Sequence, residues 1–152
     1  MASATLHVLL PVLMATVMNV IIYTTGWNRD SRSVSKRNPY LPPGYIIAIV
    51  WTILLAMLGY VHYLTFPHPV HWLIVATIAY CISYPVLTSG FNVAMNALNF
   101  VALVMSISVS VATLIVARST AFLFTIPLLA WASYVNVTGY IASNQKSFDN
   151  VA

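Results

Sequence analysis

Three histidines lie close together in the sequence and are the first candidates for chemistry, since His62, His68 and His71 fall within ten residues. Imidazole nitrogens bind metals such as zinc, usually together with further histidine, cysteine or carboxylate ligands. Here no carboxylate accompanies them, and Pro67 and Pro69 break the helical i, i+4 spacing that would pair two of them. We therefore predict no metal site and expect interfacial histidines. A tetrapyrrole or pigment ligand role for His62 is the alternative.

A second candidate is a stripe of polar side chains in a long apolar segment. Its members recur near multiples of 3.6 residues, so they share one helical face. An amide left unsatisfied in lipid costs several kcal/mol, so this face must look inward. Two interpretations stay open, namely interhelical hydrogen bonding and the wall of a polar-lined cavity. The stripe consists of Asn92, Asn96, Asn99, Ser106 and Ser110.

Other catalytic signatures are not visible in the sequence. It shows no acid–base pair, no nucleophile with a neighbouring base and no metal cluster. The single Cys81 lies in an apolar run, so it indicates neither a disulfide nor a cysteine metal site. Asn136-Val137-Thr138 matches a glycosylation acceptor, but we disregard it because it lies at membrane depth.

The composition identifies the elements that must position these residues. Hydrophobic residues make up 61% of the 152-residue chain and charged residues only 5%, against roughly 25% charged in a soluble domain. We predict an all-α membrane protein, a single five-helix transmembrane domain over residues 1–152. The net charge of +4 is small and its cations are clustered. We therefore interpret it as a signal for membrane topology and lipid headgroup contact, and no nucleic-acid partner is expected. The predicted spans are 6–23, 44–65, 72–87, 91–116 and 121–142.

The first two spans show how their faces are assigned. On the first, Thr16, Asn19 and Tyr23 share one side, which we expect to face the bundle because polar groups need partners in lipid. The second should begin near Pro43 or Gly44, since proline suits the first turn of a helix. Its inward face carries Trp51, Leu55, Leu58 and His62 at helical spacing, and its outer face carries Ile47, Ile49 and Ile53.

Five spans place the two chain ends on opposite sides of the membrane. The first loop and the C-terminal tail then share a side with five Lys and Arg residues, and Arg118 stands alone on the other. By the positive-inside rule, the first loop and the C-terminus face the cytosol. The basic loop has a second interpretation as a lid over a cavity. Ala79 and Ser83 form a small-xxx-small pair that permits a homodimer.

Motifs in three of the five spans resemble the translocator protein family, also called the tryptophan-rich sensory or peripheral benzodiazepine-receptor family. A basic first loop leads into a proline pair, followed by a tryptophan and a glycine–tyrosine pattern; the fourth and fifth spans carry further matches. The matching residues are Pro42, Pro43, Trp51, Leu54, Gly59, Tyr60, Tyr63, Asn92, Ala94, Asn96, Pro127, Leu129, Trp131, Tyr134 and Tyr140. The family's second-helix tyrosine is Leu55 here, and its fourth-helix tryptophans are Ala97 and Asn99.

The resemblance implies a five-helix bundle of the translocator type that holds a small hydrophobic ligand under the first loop. Family ligands are porphyrins, haem and sterols, and no cofactor is required. The ligand-binding residues it implies are Trp51, Leu55, Asn92, Asn96, Trp131 and Tyr134. A sterol-contact pattern follows at Val137, Tyr140 and Lys146, whose spacing fits a motif proposed for cholesterol.

Three functions follow from these residues. The first is binding of a tetrapyrrole or sterol, with a role in its transport, sensing or regulation. The alternative is a structural subunit of a larger membrane complex that keeps the fold and has lost ligand binding, as the absent fourth-helix tryptophans suggest. A porphyrin-degrading enzyme is a third, less favoured hypothesis. The expected location is a mitochondrial membrane in a eukaryote or the cell envelope in a bacterium.

Overall fold

A computed structural model describes residues 3–26, 39–89, 95–116 and 119–149. Over these ranges the protein is helical and contains no β-strand. Five stretches are long and apolar enough to cross a membrane, the fifth running from Thr120 to Gln145 across two helices. The protein is thus an all-α membrane protein with five spans. Its helices are α1 (Ala4–Thr25), α2 (Gly44–Thr65), α3 (His71–Ser89), α4 (Met95–Val116), the short α5 (Ser119–Leu123) and α6 (Ile126–Asp149).

The ends of the first two helices follow from their sequences. Ser3 caps α1, since its hydroxyl accepts a hydrogen bond from the Leu6 amide. Gly26 ends α1 with a φ of 74°, a left-handed conformation that glycine adopts at little cost. Pro43 directly precedes α2, and its carbonyl accepts from the Ile47 amide. The predicted start of the second span is confirmed.

Neighbouring helices in the chain pack side by side. α1 lies against α2, α2 against α3, α3 against α4, and α4 against α6, while α5 contacts α2 and α4. The α1–α2 contact is close because of Gly59, where an added Cβ would lie 2.2 Å from the carbonyl oxygen of His7. No residue with a side chain fits there unless the two helices separate.

Two clusters of buried side chains form the interior. The larger joins α2, α3, α4 and α6, and the smaller joins α1, α2 and α3. Apolar side chains also cover the outside, as expected where the surrounding solvent is hydrocarbon. The larger cluster, called the main core below, comprises Leu54, Leu58, Val61, Ile74, Val109 and Leu128, and the smaller comprises Ala15, Leu55 and Ile82. Exposed apolar residues include Leu6, Leu10, Leu13, Val17, Ile49, Ile53, Phe100, Val104, Ile107 and Val111.

Most buried hydroxyl groups bond within their own helix. Each of four buried Ser or Thr side chains donates to the carbonyl four residues earlier, at 2.6 to 2.9 Å. Such bonds satisfy a hydroxyl without a partner on another helix. Burial of these four hydroxyls therefore does not mark a polar cavity, whereas the buried Ser110 hydroxyl of the predicted stripe has no hydrogen-bond partner. The four are Thr65, Thr77, Ser106 and Thr113.

The same bond explains why one expectation for the first span is wrong. Thr16 is exposed on the outside of α1, and its hydroxyl donates to the Val12 carbonyl at 2.8 Å. With the hydroxyl satisfied by its own helix, nothing forces Thr16 inward. Instead Pro11, Ala15 and Ile22 form the buried side of α1.

Two other helices differ in detail from the sequence interpretation. Pro85 lies inside α3, which continues to Ser89, beyond the predicted end of the third span at residue 87. The fifth span is broken at its start, since α6 begins at Ile126 after the separate helix α5. At this break the Thr125 amide and hydroxyl both donate to the Phe122 carbonyl.

Candidate ligand site

Polar side chains join α3, α4 and α6 at the end of the bundle where the chain enters α2. The Tyr84 hydroxyl donates to the Asn99 side-chain oxygen at 2.7 Å, and the Tyr80 hydroxyl donates to the Leu98 carbonyl at 2.6 Å. The Asn136 amide nitrogen donates to the Asn99 carbonyl at 2.8 Å. We call Tyr80, Tyr84, Asn99 and Asn136 the polar seam.

The seam depends on where its asparagines fall along the helices. Asn99 lies in the first turns of α4, and both its carbonyl and its side-chain oxygen accept hydrogen bonds from neighbouring helices. Asn136 lies in the middle of α6 and also donates to the Ala132 carbonyl of its own helix at 2.8 Å. Asn99 is held towards the interior in this way, as predicted for the stripe, and its hydrogen bonds support the interpretation that the stripe serves interhelical hydrogen bonding. The inward prediction fails at Asn96 of the same stripe, which is exposed.

Asn96 and Asn92 were predicted to bind ligand. Asn96 is exposed, and its amide nitrogen donates to the Ser143 hydroxyl of α6 at 3.1 Å. Gly139 allows this contact, since an added Cβ would lie 3.2 Å from the Asn96 side-chain oxygen. Asn96 thus links α4 to α6 beyond the seam. Asn92 lies outside the described residues.

The tryptophans Trp51 and Trp131 pack against the same main core. Trp51 is half-buried, and its ring centroid lies 6.4 Å from that of Tyr84 in the seam. Trp131 is also half-buried, but its indole nitrogen is shielded and has no hydrogen-bond partner. Two large aromatic rings, called the aromatic wall, therefore pack on the main core, and one of them carries an unpaired N–H donor.

Leu55 and Tyr134 have different surroundings. Leu55 is 2% exposed and belongs to the smaller cluster with Ala15 and Ile82, not to the main core. Tyr134 is exposed, and its ring lies 5.7 Å from that of Trp131. The Tyr134 side chain thus extends from Trp131 towards the outside of the bundle.

Tyr134 also holds the segment that precedes α2. Its hydroxyl donates to the Tyr40 carbonyl, and the Gln145 amide donates to the Tyr40 hydroxyl at 3.1 Å. Tyr40 is therefore attached to α6 at two points. The greater part of the basic loop, predicted as a lid, lies outside the described residues.

The sterol-contact pattern lies on the outer surface of α6. Val137 is 58% exposed and Tyr140 is 69% exposed. Such side chains would meet lipid acyl chains or headgroups. The Lys146 side chain lies outside the described part of the chain.

Sequence reasoning overlooked one seam residue. The sequence interpretation treats Asn136 only as a glycosylation acceptor, yet its amide joins α6 to α4 through a hydrogen bond to the Asn99 carbonyl and donates a second one to Ala132 of its own helix. The available signal was its depth, because an amide in the middle of a span needs an interior partner. The Asn99 amide in α4 meets the same requirement.

The family model for the TspO/MBR family matches residues 7–142. The match covers all five spans and the residues of the seam. No curated protein and no solved structure matches the chain significantly.

Proposed function

Because the chain belongs to the TspO/MBR family, we propose that it binds a hydrophobic small molecule between its helices. The proposed ligand is a tetrapyrrole such as haem, or a sterol, and the role is its transport, sensing or regulation. Membrane lipid is the surrounding partner. No resident cofactor is part of this proposal.

The observation that carries the proposal is the unpaired indole N–H of Trp131. Indole nitrogen is a donor only, and a buried donor without an acceptor costs about 1–3 kcal/mol. Native proteins leave few such groups. A carboxylate oxygen of a porphyrin or the oxygen of a sterol would supply the acceptor.

The surroundings of Trp131 suit a flat ligand. Trp51 packs on the same main core and presents a second large ring, and aromatic rings stack well against a planar macrocycle. Apolar pockets gain specificity from a few polar groups. In the proposal Asn92 and Asn96 have this orienting role, Leu55 and Tyr134 line the site, and Val137, Tyr140 and Lys146 contact sterol.

The test is a titration of protein in lipid nanodiscs with protoporphyrin IX, followed by porphyrin absorbance. Trp131→Phe keeps an aromatic ring and removes the N–H, so affinity should fall about three- to tenfold. Trp72→Phe is the matched control, because Trp72 is 67% exposed at the start of α3; its affinity should equal wild type. A sterol that shares the site should displace the porphyrin.

Replacing both rings tests the aromatic wall. The double variant Trp51→Ala, Trp131→Ala should lose most porphyrin binding. Wild-type affinity in the double variant, with its helical content unchanged by circular dichroism, would exclude this site.

One observation favours a second function, a structural subunit of a larger membrane complex. The seam amides of Asn99 and Asn136 are engaged in hydrogen bonds between helices, which serve the packing of the bundle. Native mass spectrometry of protein extracted from its own membrane distinguishes the two proposals. A bound small-molecule mass supports ligand binding, and a stable complex with other subunits and no such mass supports the structural role. The same spectrum reports a homodimer.

A further inference from the structure

Three histidines from three helices meet at the end of the bundle opposite the seam. His7 lies in the first turn of α1, His62 in the last turn of α2, and His71 begins α3. The ring centroid of His62 lies 5.0 Å from that of His7 and 5.6 Å from that of His71. We call these residues the histidine row.

The backbone holds the row together. Gly59 lies one turn before His62 and lets α1 approach so closely that only hydrogen fits between Gly59 and the His7 carbonyl. This contact fixes the His7 backbone beside α2. A short turn after α2 returns the chain at His71, where the His71 amide donates to the His68 carbonyl.

Hydrogen bonds to backbone carbonyls set the protonation of the two outer rings. The Nδ1 atom of His7 lies 3.1 Å from the Ser3 carbonyl oxygen, and that of His71 lies 2.8 Å from the His68 carbonyl oxygen. A carbonyl oxygen only accepts, so these Nδ1 atoms carry the proton. In the neutral rings each Nε2 therefore keeps a free lone pair. These two nitrogens can take up a further proton.

The central ring has no polar partner at one nitrogen. His62 Nε2 is shielded from solvent and has no hydrogen bond. Phe66 packs near all three rings, with centroid distances of 5.3 to 6.4 Å. A charge on His62 would thus lie between two imidazoles and an apolar ring.

No described group compensates such a charge. Tyr63 of α2 lies 5.5 Å from His7 by ring centroids, and α5, which also packs on α2, carries no titratable side chain. His68 is exposed in the turn, and its Nδ1 accepts from the Val70 amide. The only Asp, Glu, Lys and Arg residues in the described ranges are Lys146 and Asp149, at the end of α6. Arg118 and the N-terminus lie outside those ranges.

A metal ion is not the partner we infer for the row. Across the described part of the chain, no three His, Cys, Asp or Glu side chains are placed to hold one. Protons are the remaining ligand for lone pairs on neighbouring imidazoles. Histidine is the side chain whose charge changes most readily near neutral pH, and ionisable residues within membrane spans often mark functional sites.

We propose that the histidine row forms a contact between α1, α2 and α3 that opens when the rings are protonated. When the rings are neutral, the three helix ends pack as observed. When neighbouring rings are protonated together, two like charges about 5 Å apart repel, with no anion beside them among the described residues, and this end of the bundle opens. The inference concerns the end opposite the proposed ligand site and does not depend on ligand binding.

The test is thermal unfolding in nanodiscs at pH 8 and pH 5, monitored by circular dichroism. The wild-type midpoint should fall by about 5 °C or more at pH 5. His62→Gln removes the central charge and should abolish most of that fall. His68→Gln is the matched control, because His68 lies outside the row, and it should show the wild-type fall. Equal falls in wild type and His62→Gln would overturn the proposal.

A second measurement uses the wild-type protein, so it does not depend on whether a variant folds. In wild-type protein with 15N-labelled histidine, the row should titrate in coupled steps spread over more than about two pH units, as interacting groups do. If all four histidines titrate independently, each in a single step, the proposal is overturned, whatever the variants show.

Discussion

The hydroxyl of Tyr84 on α3 donates a 2.7 Å hydrogen bond to the side-chain oxygen of Asn99 on α4. The carbonyl of Asn99 accepts in turn from Asn136 on α6. One residue therefore connects three spans, and this connection lies beside the ring of Trp51. Because Asn96 on α4 and Trp131 on α6 are proposed to contact ligand, the seam holds together two of the helices that carry the proposed site.

Removing the Tyr84 hydroxyl should weaken the seam measurably. Tyr84→Phe keeps the ring and leaves the Asn99 oxygen without its donor. We expect a loss of about 0.6 kcal/mol in unfolding free energy and at most about 1.7 kcal/mol, the average and the maximum measured for hydrogen bonds between membrane helices. Reversible unfolding in mixed micelles measures it. Tyr45→Phe is the control, because Tyr45 is exposed at the start of α2; a loss equal to that of Tyr84→Phe would show that the seam bond contributes nothing specific.

The fold was predictable from sequence because lipid imposes a simple length requirement. About 20 apolar residues are needed to cross the bilayer, and the Pro42-Pro43 pair marked where α2 starts. The inward direction of Asn99 was predictable too, since an amide has more donors and acceptors than its own helix can satisfy. Thr16 could not be placed by the same reasoning, because a hydroxyl can bond to the carbonyl four residues earlier.

The site was less predictable than the spans. The unpaired N–H of Trp131 depends on what surrounds it in three dimensions, and no sequence pattern reports a missing acceptor. The pairing of His7 with His62 depends on the close approach at Gly59, between segments more than 50 residues apart. Local periodicity describes faces of one helix and says little about which faces meet.

Thr16 provides a test of this difference between hydroxyl and amide groups. Thr16→Val removes a hydroxyl that is exposed and bonded within α1, so the unfolding free energy should change by less than about 0.5 kcal/mol. Asn136→Leu removes an interior amide that joins α6 to α4 and should cost more, because the Asn99 carbonyl loses its donor. The same micelle unfolding assay compares them. A larger loss for Thr16→Val would mean that its side chain does face the bundle.

Gly59 should be the least replaceable glycine among those described in the helices. In Gly59→Ala the new methyl group would lie 2.2 Å from the His7 carbonyl oxygen, which belongs to backbone and cannot rotate away. Overpacking of this kind costs about 1–3 kcal/mol. Gly44→Ala is the matched control, since nothing lies within 4 Å of its added Cβ. The thermal midpoint of Gly59→Ala should therefore lie below that of Gly44→Ala. Equal midpoints would refute the close α1–α2 contact.

The orientation in the membrane is the last prediction. The first loop and the tail carry five of the six Lys and Arg residues, so we expect them on the cytosolic side. In a Cys81→Ala background, Asn144→Cys near the end of α6 and His68→Cys in the α2–α3 turn place single thiols at opposite ends of the bundle; both positions are exposed. A membrane-impermeant maleimide added from the cytosolic face should label Asn144→Cys alone, and should label both after permeabilisation. Labelling of His68→Cys alone would show the opposite orientation. Labelling of both thiols before permeabilisation would contradict an odd number of membrane crossings between the two positions.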